Sequence, residues 1–377
     1  MQIKKCLSVC FLLLSSLLFA QQADKNDFYI RAAYNYGFIL QQHNNIGQLV
    51  NGNISGFELN YVRPTSGDKM WHAENNYPER GAGFSFFNLD NPKQLGNLYA
   101  VYFFYDIPLR KKATPFRLYL RTCEGLAFAP VHFDPITNHK NNVISSPVNA
   151  YVNLKFYYRW DICKRLRWEA GINFSHASNG RFEVPNLGLN LVTFNTGFVY
   201  KILTKKPTIL TTVDSTIRVK SKNELFIWGA IGFNEIDQPL GKRYVAQSYS
   251  ATFYRNINNK SRIGVGLDVY YNAATLHQLK ADSTVHLSSN LENIQMGIKV
   301  AYAYNIGRLS LPIEMGYYLY SKDKSDGVFF HRIGMRYYFK NNFVAILSLK
   351  THWAVANYFE FGVGYRVPLK KKNNIKT

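Results

Sequence analysis

Two residues that could act as base and nucleophile, His176 and Ser178, stand two positions apart in the chain. The stretch around them alternates apolar and polar residues, which predicts a β-strand whose successive side chains point to opposite faces. His176 and Ser178 therefore share one face, where an imidazole can take a proton from a serine hydroxyl. The spacing indicates nucleophilic chemistry if the strand lies where a substrate can reach it.

The residues after Ser178 predict a polar loop and a returning strand. The loop begins with Asn179 and Gly180, and the returning strand begins near Asn190. An antiparallel register centred on this loop brings Asn190 beside His176 on the same face.

The first twenty residues have the pattern of a cleavable secretory signal. Lys4 and Lys5 precede an apolar run from Cys6 to Phe19, and Ala20 ends it. We therefore expect a signal peptide over 1–20 and export from the cytoplasm. Two cysteines remain after its removal, Cys123 and Cys163, and the sequence leaves open whether they form a disulfide.

Composition and charge narrow the class of protein. The chain holds 27 Tyr and 27 Phe, yet its mean hydropathy is only −0.21. That balance is typical of strands with one apolar face and aromatic belts at two membrane interfaces. The formal net charge is +21, and an exported protein of this charge is better suited to an anionic, phosphate-bearing lipid surface than to nucleic acid.

Alternating, aromatic-rich segments recur along the whole chain, and we count sixteen candidate strands. They are 27–38, 54–64, 81–89, 96–109, 115–130, 146–161, 166–179, 188–203, 223–235, 242–256, 261–273, 290–305, 309–322, 328–340, 343–352 and 356–368. Their lengths exceed the five or six residues usual in soluble sheets. No blade-like repeat supports a propeller.

The connections between candidate strands alternate between short and long. Turns such as 162–165 and 306–308 are short, whereas the loops 131–145 and 274–289 are long. This alternation is typical of an outer-membrane barrel with short periplasmic turns and long extracellular loops. We therefore predict an all-β protein: one antiparallel transmembrane β-barrel domain over 21–377, with about 14–16 strands (range 12–16). Two connections, 65–80 and 204–222, are long where the scheme requires short ones.

The strand parity assigns a side to the pair. In the seventh candidate strand Ile172 and Phe174 share a face with His176 and Ser178. The opposite face carries small and polar residues: Asn173, Ser175, Ala177 and Asn179. The apolar face should contact lipid, which puts His176 and Ser178 on the outer wall near the extracellular rim, where polar groups are usually functional.

These residues carry a resemblance to a known family. The pattern H-x-S-N-G followed by P-N-x-G-x-N, formed here by His176, Ser178, Asn179, Gly180, Pro185, Asn186, Gly188 and Asn190, resembles the active-site motif of the PagL-type lipid A 3-O-deacylases. These are outer-membrane acyloxyacyl hydrolases. The match is specific over about 20 residues, and the family barrels are much shorter than this chain.

The resemblance implies a carboxylic ester hydrolase that removes an acyl chain from lipid A or lipopolysaccharide in the outer membrane of a Gram-negative bacterium. Ser178 would be the nucleophile and His176 the base, with Asn179, Gly180 and Asn186 binding the oxyanion or substrate. The resemblance also implies a triad Glu, but the aligned position holds Asn190 here, and Glu183 in the intervening loop is the alternative to it. Asn can orient an imidazole but cannot offset the charge of an imidazolium.

Other interpretations stay open at this level. A porin-like or hydrophobic-compound channel, or another non-catalytic barrel, would also be large and aromatic. A second H-x-S, at His286 and Ser288, lacks the residues that follow the first and predicts a solvated loop. No metal-ligand spacing occurs among the histidines, so neither a metal nor another cofactor is predicted. The acyl position, the chain length accepted and the oligomeric state are not determined by the sequence.

Overall fold

A computed structural model describes residues 28–110, 116–202, 221–236, 239, 241–283, 286–353 and 355–369. The signal peptide expected over 1–20 lies outside these residues. The described chain holds sixteen strands. They are β1 (Tyr29–Ile39), β2 (Ile54–Pro64), β3 (Glu79–Asn91), β4 (Gly96–Pro108), β5 (Phe116–Phe128), β6 (Val148–Asp161), β7 (Leu166–Ser178), β8 (Leu189–Lys201), β9 (Asn223–Glu235), β10 (Arg243–Asn256), β11 (Ser261–Asn272), β12 (Gln295–Ile306), β13 (Leu309–Tyr320), β14 (Phe329–Tyr338), β15 (Phe343–His352) and β16 (Val355–Leu369).

All sixteen strands pair antiparallel with their neighbours, which confirms the predicted fold class and strand number. They close, however, as two barrels of eight strands, with β1 paired to β8 and β9 paired to β16. The single barrel domain expected over 21–377 is therefore wrong. The alternation of apolar and polar residues shows which segments form strands and which face of the sheet each side chain lies on. Barrel closure depends instead on which two edge strands pair, and no local sequence pattern encodes that pairing.

Each barrel carries its apolar side chains on the outside and its polar side chains inside, the reverse of a water-soluble protein. In β6, Leu154, Phe156 and Tyr158 are exposed on the outer wall, whereas Lys155 and Arg159, on the opposite face of the strand, are buried in the interior. A strand that presents apolar residues outward and charged residues inward suits a lipid environment around the barrel. The alternation of apolar and polar residues in the sequence corresponds to these outer and inner faces.

Buried ion pairs fill the interior of both barrels. In the first barrel Arg31 contacts Asp106 at 2.9 Å and Glu169 at 2.8 Å. In the second barrel Arg332 contacts Glu314 at 2.7 Å and Glu360 at 2.6 Å. Eight strands enclose just enough space for side chains to pack, so these charges are neutralised by one another rather than by water.

The connections differ at the two ends of the barrels. The end reached by odd-numbered strands, called here the loop end, carries the long connections 40–53, 129–147, 179–188 and 273–294. The opposite end, called the turn end, carries the short connections 162–165, 257–260, 307–308 and 339–342. Both barrels have their loop ends on the same side, because Glu235 at the end of β9 contacts the connection after β7.

The two long connections at the turn end now have an explanation. Residues 202–222 link the two barrels, and 203–220 among them lie outside the described residues. Residues 65–78 contain the short helix α1 (Met70–Glu74), whose neighbour Asn75 accepts a hydrogen bond from Tyr304 of the second barrel at 2.5 Å. Both exceptions to the single-barrel scheme therefore serve to join two barrels.

Few helices accompany the strands. A second helix, α2 (Ala273–Ala281), lies in the connection after β11, and its N-cap Asn272 accepts a hydrogen bond from the Ala274 amide. Within the described part of the chain, no helix has the length and apolar character needed to span a bilayer. Cys123 is buried and Cys163 is exposed, and both are free thiols, so the disulfide that the sequence left open is not formed.

Candidate active site

The site lies at the loop end of β7 and β8, and strand register creates it. His176 lies directly opposite Asn190, as the sequence predicted from an antiparallel register. Its Nδ1 is 2.6 Å from Asn190 Oδ1. Because a carbonyl oxygen only accepts hydrogen bonds, Nδ1 carries the proton, and Nε2 keeps the lone pair that a base requires.

Alternation along β7 assigns the face of the site. Ile172 is 61% exposed and Phe174 is 39% exposed on the outside of the barrel. Asn173 and Ser175, on the opposite face of the strand, are buried in the interior. His176 follows the parity of the exposed residues, so the imidazole lies on the outer side of the wall, one pleat from the rim.

Ser178 ends β7 and is nearly buried, with 4% of its surface exposed. Two N–H groups from the following loop point at its hydroxyl oxygen. The Gly180 backbone amide donates to Ser178 Oγ at 3.1 Å, and Asn186 Nδ2 donates to the same atom at 3.4 Å. Donors that converge on a nucleophile can also bind the oxyanion that forms beside it.

Gly188 lies against the side chains of both His176 and Ser178. Its φ is +79°, a conformation that residues with a side chain rarely adopt. A Cβ added there would lie 2.8 Å from His176 Cε1 and 3.4 Å from Ser178 Cβ. The returning loop therefore contacts both His176 and Ser178, and only glycine fits between them.

The side chain of Asn179 has a different position from the one its proposed role requires. Its amide donates to Ser145 Oγ at 2.8 Å, to Ser146 Oγ at 3.1 Å and to the Glu183 carbonyl at 3.0 Å. These contacts tie the 179–188 loop to the loop between β5 and β6. Gly180 and Asn186, rather than the Asn179 side chain, supply the donors next to Ser178.

Glu183, the alternative partner of His176, is held elsewhere. Its carboxylate pairs with Arg243, which belongs to the second barrel. The Asn190 side chain, by contrast, contacts the imidazole directly. The geometry favours Asn190 as the group that orients His176.

Sequence reasoning missed several residues that shape this loop. Ser145 and Ser146 lie more than thirty positions before Asn179, and Arg243 and Glu235 lie in the other barrel. No local motif marks them, since only the packing of distant loops brings them together. Within the described residues, no group of three or more His, Cys, Asp or Glu side chains could hold a metal ion.

Two family models match the chain, one for each barrel. "Lipid A 3-O-deacylase (PagL)" matches residues 55–199, and "Acyloxyacyl hydrolase, C-terminal domain" matches residues 223–371. Together they cover most of the chain. The protein therefore belongs to the PagL lipid A 3-O-deacylase family, a membership that implies a hydrolase acting on lipid A in the outer membrane.

Two solved structures show a similarity to the chain. Neisserial surface protein A is 13% identical with a TM-score of 0.31, over 46% of this chain and 97% of that one. A mutant porin of Rhodopseudomonas blastica is 12% identical with a TM-score of 0.18, over 90% of this chain and 98% of that one. No curated protein sequence matches the chain.

Proposed function

We propose that this protein removes an ester-linked acyl chain from lipid A by serine–histidine nucleophilic catalysis. The observation that carries the proposal is the hairpin of β7 and β8, in which His176 is oriented by Asn190 and two N–H donors converge on Ser178. Membership of the lipid A deacylase family supports the substrate class.

In the proposed first step, Ser178 Oγ attacks the ester carbonyl while His176 Nε2 takes the hydroxyl proton. The negative charge on the carbonyl oxygen is bound by the Gly180 amide and Asn186 Nδ2. Protonated His176 then gives the proton to the leaving sugar oxygen, which releases lipid A with a free hydroxyl. Water hydrolyses the acyl-serine, His176 again acting as base, and a free fatty acid leaves.

Asn190 holds the imidazole in the required tautomer, because its Oδ1 accepts from Nδ1. A neutral amide stabilises an imidazolium less than a carboxylate does. We therefore expect a slower enzyme than one with Glu at this position. Asn179 contributes by fixing the loop through Ser145 and Ser146.

The position of the site suits a membrane substrate. We place the loop end at the extracellular side of the outer membrane, so that His176 lies on the lipid side of the wall at the level of the outer-leaflet headgroups, with Ser178 beside it under the 179–188 loop. Ile172 and Phe174, exposed just below, would lie along the acyl chains. The strongly basic chain suits the phosphates of lipid A.

The channel alternative is disfavoured by the barrel interiors. Arg31 and Arg332, each fully buried, lie within ion-pair networks that occupy the two lumens. A passive channel of this kind would need an aqueous path, which eight-stranded barrels packed with side chains do not offer.

The test compares wild-type protein with Ser178→Ala and His176→Ala in an outer membrane, with lipid A acylation measured by mass spectrometry. Wild type should yield lipid A that lacks one acyl chain, and both variants should leave it intact. Heat-modifiable migration in gels confirms that each barrel protein is folded. Unchanged lipid A with folded wild-type protein would overturn the proposed function.

A further inference from the structure

The 179–188 loop, which supplies the donors to Ser178, is held by the second barrel as well as by its own. Glu235, the last residue of β9, makes two hydrogen bonds to it. The Val184 amide donates to Glu235 Oε2 at 2.7 Å, and the Glu235 amide donates to the Arg181 carbonyl at 3.0 Å.

Arg243, the first residue of β10, contacts the residues between these two bonds. Its guanidinium pairs with the Glu183 carboxylate and donates from Nε to the Phe182 carbonyl at 3.2 Å. The same guanidinium lies 4.5 Å from the centre of the Phe182 ring. Glu235 and Arg243 thus bind four consecutive residues, 181–184, and we call this set of contacts the loop clamp.

A third contact limits the approach of the loop to the second barrel. Gly180 has a φ of +63°, and a Cβ added there would overlap the Phe359 ring on the outer wall of β16. Gly180 is also the donor to Ser178 Oγ. The residue that contacts the nucleophile is therefore packed directly against the second barrel.

We infer that the second barrel is part of the active site's support, with Glu235 and Arg243 as positioning residues for the Ser178 reaction. The clamped residues lie between the two donors: Gly180 precedes residue 181, and Asn186 follows Val184 by two positions. Fixing 181–184 fixes both donors relative to Ser178 Oγ. Catalysis is sensitive to such placement, since a shift of about 1 Å can cost about 100-fold in rate. This inference rests on the proposed function.

The experiment compares variants of the full-length protein in outer membranes or detergent, with kcat and KM measured on lipid A. Glu235→Ala and Arg243→Glu should each lower kcat by about 10- to 100-fold with little change in KM, because the donors act on the transition state. Glu235→Gln, which can still accept from the Val184 amide, should stay within about threefold of wild type. Adding Glu183→Arg to Arg243→Glu restores opposite charges and should recover much of the loss.

A matched control is available in the same barrel. Lys322 and Glu292 form an ion pair at 2.6 Å at the loop end, away from the clamp. Lys322→Gln should leave kcat unchanged. If Lys322→Gln lowers kcat as much as Arg243→Glu, the effect is general loss of the loop-end structure and the inference is overturned. Wild-type rates for both Glu235→Ala and Arg243→Glu would overturn it as well.

A second measurement does not depend on activity. Trypsin cleaves after Arg181, which the clamp should protect in the folded protein. Glu235→Ala should make this cleavage at least about tenfold faster while both barrels keep their heat-modifiable migration, and Lys322→Gln should not. If wild type leaves lipid A unchanged but this protection is present, the proposed function fails and the clamp stands. Equal cleavage rates in wild type and Glu235→Ala would show that the loop clamp does not hold residues 181–184, and would overturn the inference.

Discussion

The last hairpins of the two barrels are built on the same strand pairing but differ in their connections. β7 and β8 are joined by the ten residues 179–188, whereas β15 and β16 are joined by only two, 353–354. In the first barrel the connection folds back over the strand end and brings donors to Ser178. A connection of two residues can join neighbouring strands equally well, but it is too short to fold back over the strand end.

The second barrel also contains a His–Asn pair, in a different environment. Asn357 lies 3.2 Å from His352 Nδ1, but His352 Nε2 is bonded to the Tyr318 hydroxyl at 2.9 Å. Both ring nitrogens of His352 are therefore engaged inside the barrel mouth. The imidazole of His176 sits on the outer wall beside Gly188 and Ser178. A His–Asn contact can support a base only where the second ring nitrogen is not already bonded to another side chain, as it is in His352.

The second H-x-S sequence, at His286 and Ser288, also differs from the first in its environment. His286 and Ser288 lie exposed in the connection between β11 and β12, outside any strand. His176 and Ser178 lie at the end of β7 under the 179–188 loop. The same two residue types thus lie under a loop at a strand end in one barrel and are exposed to solvent in the other.

The largest effect is expected from making the first barrel resemble the second at this hairpin. Replacing 179–187 by an Asn-Gly turn leaves Ser178 opposite Gly188, in the register that pairs Ala177 with Leu189. It removes Gly180 and Asn186 together and should lower deacylation by at least about 1,000-fold. The barrel should still fold, because β7 and β8 keep their register. Lipid A mass spectrometry measures the loss, and gel migration checks folding. Activity that survives this replacement would show that the loop is not part of the site.

A smaller loss is expected from Gly188→Ala. The new Cβ would meet His176 Cε1 at 2.8 Å, so the ring or the loop must move, and activity should fall by about 100-fold. Gly327→Ala in the second barrel is the matched control, since Gly327 has a similar φ of +80° but nothing within 4 Å of an added Cβ. That control should keep its activity. Similar losses in both variants would point to backbone strain rather than to contact with His176.

The two His–Asn pairs provide a third comparison. Asn190→Ala frees the imidazole to rotate and should lower kcat by between about 10- and 100-fold, whereas Asn357→Ala should leave kcat unchanged. Asn190→Glu offers a carboxylate to the imidazolium and should equal or exceed wild type. Glu183→Ala should cost less than Asn190→Ala. The reverse order of these two would assign the orienting role to the loop carboxylate.

The smallest effect is expected at the turn end, where the barrels also touch. Tyr304→Phe removes the hydrogen bond to Asn75 and should change kcat by less than about twofold, because this contact is at the opposite end from Ser178. It should lower the free energy of unfolding by about 1 kcal/mol, measured by urea unfolding in lipid vesicles. A larger loss of activity here would mean that the relative placement of the barrels, rather than the loop clamp, controls the site.

The local part of the fold was readable from the sequence. All sixteen candidate strands coincide with observed strands, and the largest boundary difference is at β12, which begins at Gln295 because a 3-10 helix occupies Asn290–Asn293. The inner and outer faces were also readable, because a strand alternates with a period of two. The opposition of His176 and Asn190 followed from the register of a single hairpin.

Closure and the supports of the site were decided by tertiary structure. Whether β8 returns to β1 or pairs onward with β9 depends on the curvature of a whole sheet, which alternation does not encode. The bonds from Glu235 and Arg243 to 181–184 join residues more than fifty positions apart, in two different barrels. The sequence by itself determined the chemistry available at His176 and Ser178; the packing of two barrels decided how it is held.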